Sequence, residues 1–137
     1  MSGLLGDEVR AFLEQPHFGV MATVNPSGSP QLTVMWYALL PGEDVVVLNA
    51  TRGLLKERNL RRDPRVSLCI EEGMRYVTLE GRAELIADRA QQEREVNQLI
   101  APRYLGQRLG SERWTVIQGS DRVGIRMRVE KVHSRGV

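Results

Sequence analysis

Between Thr51 and Ile70 the chain reads TRGLLKERNLRRDPRVSLCI and carries six cations: Arg52, Lys56, Arg58, Arg61, Arg62 and Arg65. Three kinds of chemistry could use them: a solvated helix face, a contact with nucleic acid, or a cradle for a small phosphorylated molecule. Lys56 stands out because it and Lys131 are the only lysines among 19 basic residues. The segment follows the apolar run VVVLNA, so a strand ends where a helix begins. At such a junction, strand-end polar groups, the unpaired N–H groups of the first helical turn and nearby cations can converge on a phosphate. Thr51, Arg52 and Lys56 are neighbours across it. Arg58, Arg61 and Arg62 read as the solvated side of the helix, and Asn59 as a tie to a neighbouring loop.

The other reactive residue types do not assemble by spacing. His17 and His133 lie far apart, and each suits a structural or surface role better than catalysis. Cys69 is the only cysteine, which excludes an internal disulfide and a cysteine-based zinc site. Within VSLCI it reads as a small buried apolar group. The adjacent Glu71 and Glu72 read as solvated turn residues. There is no GxSxG elbow, no GxGxxG fingerprint and no Walker A loop. The sequence therefore assigns no catalytic acid, base or nucleophile, and no metal site.

Charge narrows the partners. With 19 bases against 17 acids the net charge is +2, short of the clustered excess that generic nucleic-acid binding uses. No apolar run approaches the ~20 residues of a membrane span. The start, MSGLLGDEVRAFLEQ, mixes acids among its apolar positions and does not read as a signal peptide, so a cytoplasmic location is the default expectation.

The elements that must position Thr51, Arg52 and Lys56 follow from periodicity. At 137 residues one domain is expected, spanning the whole chain, 1–137. Leu4, Leu5, Val9, Phe12 and Leu13 recur at helical spacing and predict a helix from Leu4 to Gln15, ended by Pro16. Strands are expected at Phe18–Val24, Gln31–Leu40 and Val45–Ala50, joined by the turns NPSGSP and PGED. A helix over Gly53–Arg62 closes at Asp63-Pro64. Strands at Val66–Ile70 and Tyr76–Ile86 flank the turn EEGM, and Gly81 marks a bulge or bend in the longer one. Asp88 is placed to cap a helix running to about Ile100, and a further short helix is expected within Pro102–Gly110. Trp114–Ile117 and Val123–Val132 read as closing strands. Hairpin-connected strands without regular intervening helices disfavour a Rossmann-type sheet and favour a small antiparallel barrel decorated by helices, an α+β fold that is mainly β.

The order GSPQLTVMWY, VVVLNATRG, LKERNLRRDPRVSL and YVTLEGRAEL resembles the split β-barrel flavin/deazaflavin oxidoreductases, which include pyridoxamine 5'-phosphate oxidase-like proteins and enzymes using coenzyme F-420. The resemblance covers Phe18 to Ile86 well and the remainder more loosely. It implies a six-stranded antiparallel split β-barrel that forms a homodimer, with the cofactor in a groove between subunits. It further implies Asn49, Ala50, Thr51, Arg52 and Lys56 around the cofactor phosphate, and Gln31, Leu32, Thr33 and Val34 along the flavin-like ring. Met74 to Tyr76, Arg126 and Arg128 are weaker candidates. Where many relatives carry a second basic residue before the lysine helix, this chain has Leu54 and Leu55.

The activity implied is hydride transfer from reduced F-420 to an electron-poor conjugated small molecule such as an enone, quinone or tetrapyrrole. PQLTVMWY, and the absence of an extended pyridoxal-phosphate site, look more like the deazaflavin branch. The alternatives are an FMN-dependent oxidoreductase on the same scaffold and a non-enzymatic carrier of a flavin or haem-like ligand.

Overall fold

The computed structural model describes residues 3–105 and 121–137. In chain order the elements are α1 (Asp7–Glu14), β1 (Gly19–Val24), β2 (Pro30–Met35), β3 (Ala38–Leu39), β4 (Val45–Thr51), α2 (Leu55–Arg62), β5 (Arg65–Glu72), β6 (Arg75–Ile86), α3 (Arg89–Glu95), a π-helical turn (Val96–Ile100), α4 (Ala101–Leu105) and β7 (Arg122–Arg135). The expected helix within Pro102–Gly110 begins as α4, and its part beyond Leu105, like the expected strand Trp114–Ile117, lies outside the described residues.

Among the described residues all strand pairs are antiparallel, in a seven-stranded sheet ordered β2-β1-β5-β6-β7-β4-β3. The sheet forms a half-barrel whose concave side holds the main core: Met21, Leu48, Leu68, Leu79, Ile125 and Met127, with Phe12 and Leu13 of α1 and Leu60 of α2. The six-stranded sheet that the resemblance implies becomes seven strands among the described residues, in the same fold class, because QLTVMWYALL does not run as one strand. It breaks at Trp36-Tyr37, and its halves become β2 and β3 at opposite edges of the sheet. The break is held by Tyr37, fully buried, whose hydroxyl donates to the Leu13 carbonyl at 2.7 Å.

Local signals act where they were read. The side chain of Asp88 accepts from the Gln91 N–H at 2.9 Å, capping α3. The β6–β7 register slips between Glu80 and Gly81. A Cβ at Gly81 would lie 1.9 Å from the Arg128 carbonyl oxygen, so only glycine allows that approach. Cys69 differs from expectation: it is half-buried, because in β5 the alternate residues Val66, Leu68 and Ile70 take the core face. Asn59 is buried and donates to Thr23 Oγ1 (3.1 Å) and Asn25 Oδ1 (2.9 Å), pinning α2 to the β1–β2 hairpin.

A second, smaller core lies on the other side of β3 and β4, where Ala38 and Val47 meet Val96, Ile100 and Ala101. β4 is therefore covered on both faces. Val46, Leu48 and Ala50 enter the main core, while Val47 meets the helices and Asn49 and Thr51 share its alternation. No helix among the described residues is long and apolar enough to cross a membrane.

Candidate functional site

The helical side of β4 is where polar chemistry collects. The β4–β7 register sets Thr51 opposite Arg122 and Asn49 opposite Gly124. Arg122 Nε donates to Asn49 Oδ1 at 2.8 Å, and its Nη1 donates to Thr51 Oγ1 at 2.9 Å. Asn49 Nδ2 donates in turn to Gln92 Oε1 of α3 at 2.9 Å. Gly124 leaves the room that this contact needs: a Cβ there would come within 3.4 Å of Gln92 Cγ and 3.2 Å of Ile86 Cβ.

Asn49 and Arg122 form the polar end of a cleft of about 300 Å³. Val34, Met35 and Trp36 line it from the end of β2, and Val96, Ile100 and Ala101 from the helical layer. The π-helical turn, by its i→i+5 period, brings Val96 and Ala101 to the same wall. Trp36 stacks on Tyr104 (centroids 4.8 Å apart, planes 13° apart), and Tyr104 stacks on Phe18 (5.6 Å, 9°). One wall is thus apolar and backed by aromatic rings, and among the described residues no carboxylate lines the cleft. A larger groove of about 390 Å³ on the sheet sets Arg65 and Arg82 beside Glu80 and Glu130. It mixes both charges and holds none of the sequence-predicted residues.

Lys56 belongs to the neighbouring helix. Gly53, at φ 88°, makes the left-handed turn out of β4, and its N–H donates to Glu57 Oε1 at 2.7 Å. The Glu57 carboxylate, three residues after the N-cap Leu54, thereby ties down the chain just ahead of the helix. Glu57 is buried but paired with Arg61 through two 2.7 Å bonds, which hold its carboxyl below the usual range against the opposing effect of burial. The helix ladder begins with Arg58 N–H to the Leu54 carbonyl, so the first-turn N–H groups of Leu55, Lys56 and Glu57 have no helical acceptor. Lys56 has no hydrogen bond or ion pair among the described residues. Burial, and then the positive charge of Arg122, hold its ammonium below the ordinary lysine value. Two cations, a hydroxyl and a helix start stand together, a donor set suited to an anion.

The predicted residues divide. Asn49 and Val34 line the cleft, and Thr51 and Lys56 stand beside its polar end through Arg122. Arg52 is turned to Asp121, with Nε donating to Oδ1 at 3.1 Å. The side chain of Ala50 is in the main core, so only its backbone could face a ligand. Gln31 accepts from Thr23 Oγ1 (3.1 Å) and donates to Thr33 Oγ1 (2.8 Å), on the face of β2 opposite Leu32 and Val34. Leu32 and Val34 are 62% and 65% exposed. Arg126 is bonded to Glu95 at 3.0 Å, Met74 is exposed at the β5–β6 turn, and Tyr76 lies tilted against His133. None of these, nor Arg128, lines the cleft.

The sequence reading missed Arg122, Gln92, Trp36 and Tyr104. A signal existed only for Arg122, which extends the alternation of Gly124, Arg126 and Arg128 one step upstream.

Residues 5–136 match the pyridoxamine 5'-phosphate oxidase family. The chain belongs to that family. It is 34% identical to the conserved hypothetical protein Rv2991 of Mycobacterium tuberculosis, whose crystal structure superposes with a TM-score of 0.82 over 98% of this chain and 84% of that one. It is 29% identical over 84 residues to an F420H(2)-dependent biliverdin reductase of Mycobacterium tuberculosis (strain CDC 1551 / Oshkosh), a match spanning 61% of each protein. A solved F420 reductase, 24% identical, shares the fold at a TM-score of 0.66 over 90% of this chain and 94% of that one.

Proposed function

We propose that this protein is an oxidoreductase that binds coenzyme F-420 in the cleft and passes hydride to an electron-poor conjugated small molecule. The observation that carries the reading is Lys56: a cation without a carboxylate partner among the described residues, already disfavoured by burial and by the positive charge of Arg122. Such a cation suits an anion. The relationship to an F420H(2)-dependent reductase supports F-420 as its source.

In this reading Lys56, Arg122, Thr51 and the first-turn N–H groups of α2 hold the cofactor phosphate. Asn49 keeps the Arg122 guanidinium in place. Val34 and the adjoining β2 backbone lie along the ring system, and Trp36, Val96 and Ile100 exclude water from it. Reduced F-420 supplies the hydride; the chain supplies position and a dry surface. Water can deliver the accompanying proton, so no dedicated acid is required.

The site is completed by a second copy of the chain. Val20, Leu32 and Val34 are exposed on one face of the β1–β2 pair, in a register that sets Val20 beside Val34. An apolar strip of this kind beside a cleft suits a homodimer interface.

Titration of the purified protein with F-420 and FMN tests the reading. Saturable F-420 binding, with oxidation of F-420H2 by an added quinone or tetrapyrrole, is expected. Tight FMN binding with none for F-420 would transfer the same site to the flavin. Binding without turnover would leave a carrier, and failure to bind either cofactor would sink the proposal.

A further inference from the structure

We propose that Gln92 is a positioning residue that holds the polar end of the cleft in place, acting through Asn49 and the Arg122 guanidinium. The proposal rests on the cofactor reading for what the site holds, and on geometry alone for how the site is held.

Gln92 is 1% exposed, and its amide has no choice of orientation. Its Nε2 faces two carbonyl oxygens, those of Ala87 and Arg122, each at 3.2 Å. Only a donor satisfies both, so Oε1 must point to Asn49. Asn49 is then obliged to offer its Nδ2, which leaves its Oδ1 facing Arg122 Nε. The guanidinium, fixed at Nε, donates through Nη1 to Thr51 Oγ1. Because that oxygen accepts, the Thr51 proton remains to be donated outward. Donation therefore runs inward from Arg122 through Asn49 and Gln92 to the carbonyl oxygens, and outward from Arg122 to Thr51, so the inward arm is what fixes the guanidinium. The Thr51 hydroxyl proton beside Lys56 then matches a phosphate acceptor. Gln92 does this from α3 without lining the cleft.

The test uses the full chain with Gln92→Met, Asn49→Ala and the double variant, and F-420 and FMN as probes. In the ligand-free protein labelled with ¹⁵N-arginine, the Nε–H resonance that disappears in Arg122→Lys is expected to exchange slowly with solvent. Gln92→Met is expected to speed that exchange. The cofactor Kd is expected to rise about tenfold in Gln92→Met, the loss of roughly one net hydrogen bond. Added to Asn49→Ala, Gln92→Met is expected to cost nothing more, because the path is already cut. Gln92→Glu at about pH 5, where a buried carboxyl is protonated and reproduces the acceptor toward Asn49 and one of the two donors, is expected to restore part of the affinity.

Unchanged Arg122 exchange, or the same fold loss from Gln92→Met in both backgrounds, overturns the proposal. The exchange measurement needs no ligand. A protein that takes up neither cofactor would thus remove the cofactor reading, while the Arg122 resonance would still decide the role of Gln92.

Discussion

Replacing Lys56 by methionine keeps the apolar stem, one atom shorter, and removes the charge, so packing along the stem is retained. Two effects of opposite sign should follow. If Lys56 makes a charge-assisted bond to the cofactor phosphate, worth about 1.5–3 kcal/mol, the Kd rises by about 10- to 150-fold. Stability without ligand moves the other way. The ammonium of Lys56 is held below its unfolded value of 10.5, by burial first and Arg122 second. Between that lowered value and 10.5 the unfolded chain binds the extra proton, so wild-type stability rises with pH across this window. Lys56→Met should abolish that rise and leave the ligand-free protein at least as stable as wild type near neutral pH. Urea denaturation from about pH 7 to 11, paired with fluorescence titration of F-420, reads both effects. A variant less stable than wild type whose Kd stays within about twofold would refute the reasoning, because Lys56 would then be structural.

Glu57→Gln should flatten the acid limb of the stability curve. The lowered carboxyl of Glu57 contributes stability that is complete above 4.5 and lost as pH falls through its folded value; denaturation midpoints from about pH 6 to 3 would show it. Gly81→Ala drives a methyl into the Arg128 carbonyl at the β-bulge and should cost about 1–3 kcal/mol in urea, without altering the ligand contacts of the cleft. Glu at both Leu32 and Val34 should shift a dimer to monomer in sedimentation velocity while leaving the circular dichroism of the fold intact; an unchanged sedimentation coefficient would remove the β2 face as the interface.

Much of the fold was legible because its signals are short-range. The hairpin at NPSGSP, the cap at Asp88, the end of α2 at Asp63 and the bulge at Gly81 depend on residues a few positions apart, or on the absence of one Cβ. The break at Trp36-Tyr37 was not legible. QLTVMWYALL has strand propensity throughout, and the bend is enforced by a partner in α1, the Leu13 carbonyl that holds the Tyr37 hydroxyl. Cys69 failed for a related reason: an apolar strand shows its pattern, but which of its faces meets the core depends on its neighbours.

At the candidate site, local spacing is enough to set a strand-to-helix junction carrying Thr51 and Lys56, with Asn49 one alternation upstream. Their spacing alone puts polar groups at the end of β4 and a cation in the first turn of α2. Which guanidinium joins them was decided by tertiary structure. Arg52 is the neighbour in sequence, yet the chain turns it to Asp121, and the β4–β7 register brings Arg122 to Thr51 from 71 residues away. Gln92 and the wall of Trp36 and Ile100 are likewise supplied by elements that touch β4 only after the sheet has curled. Local chemistry propagates a few residues along a chain, whereas a cleft is made where distant segments are packed against one another.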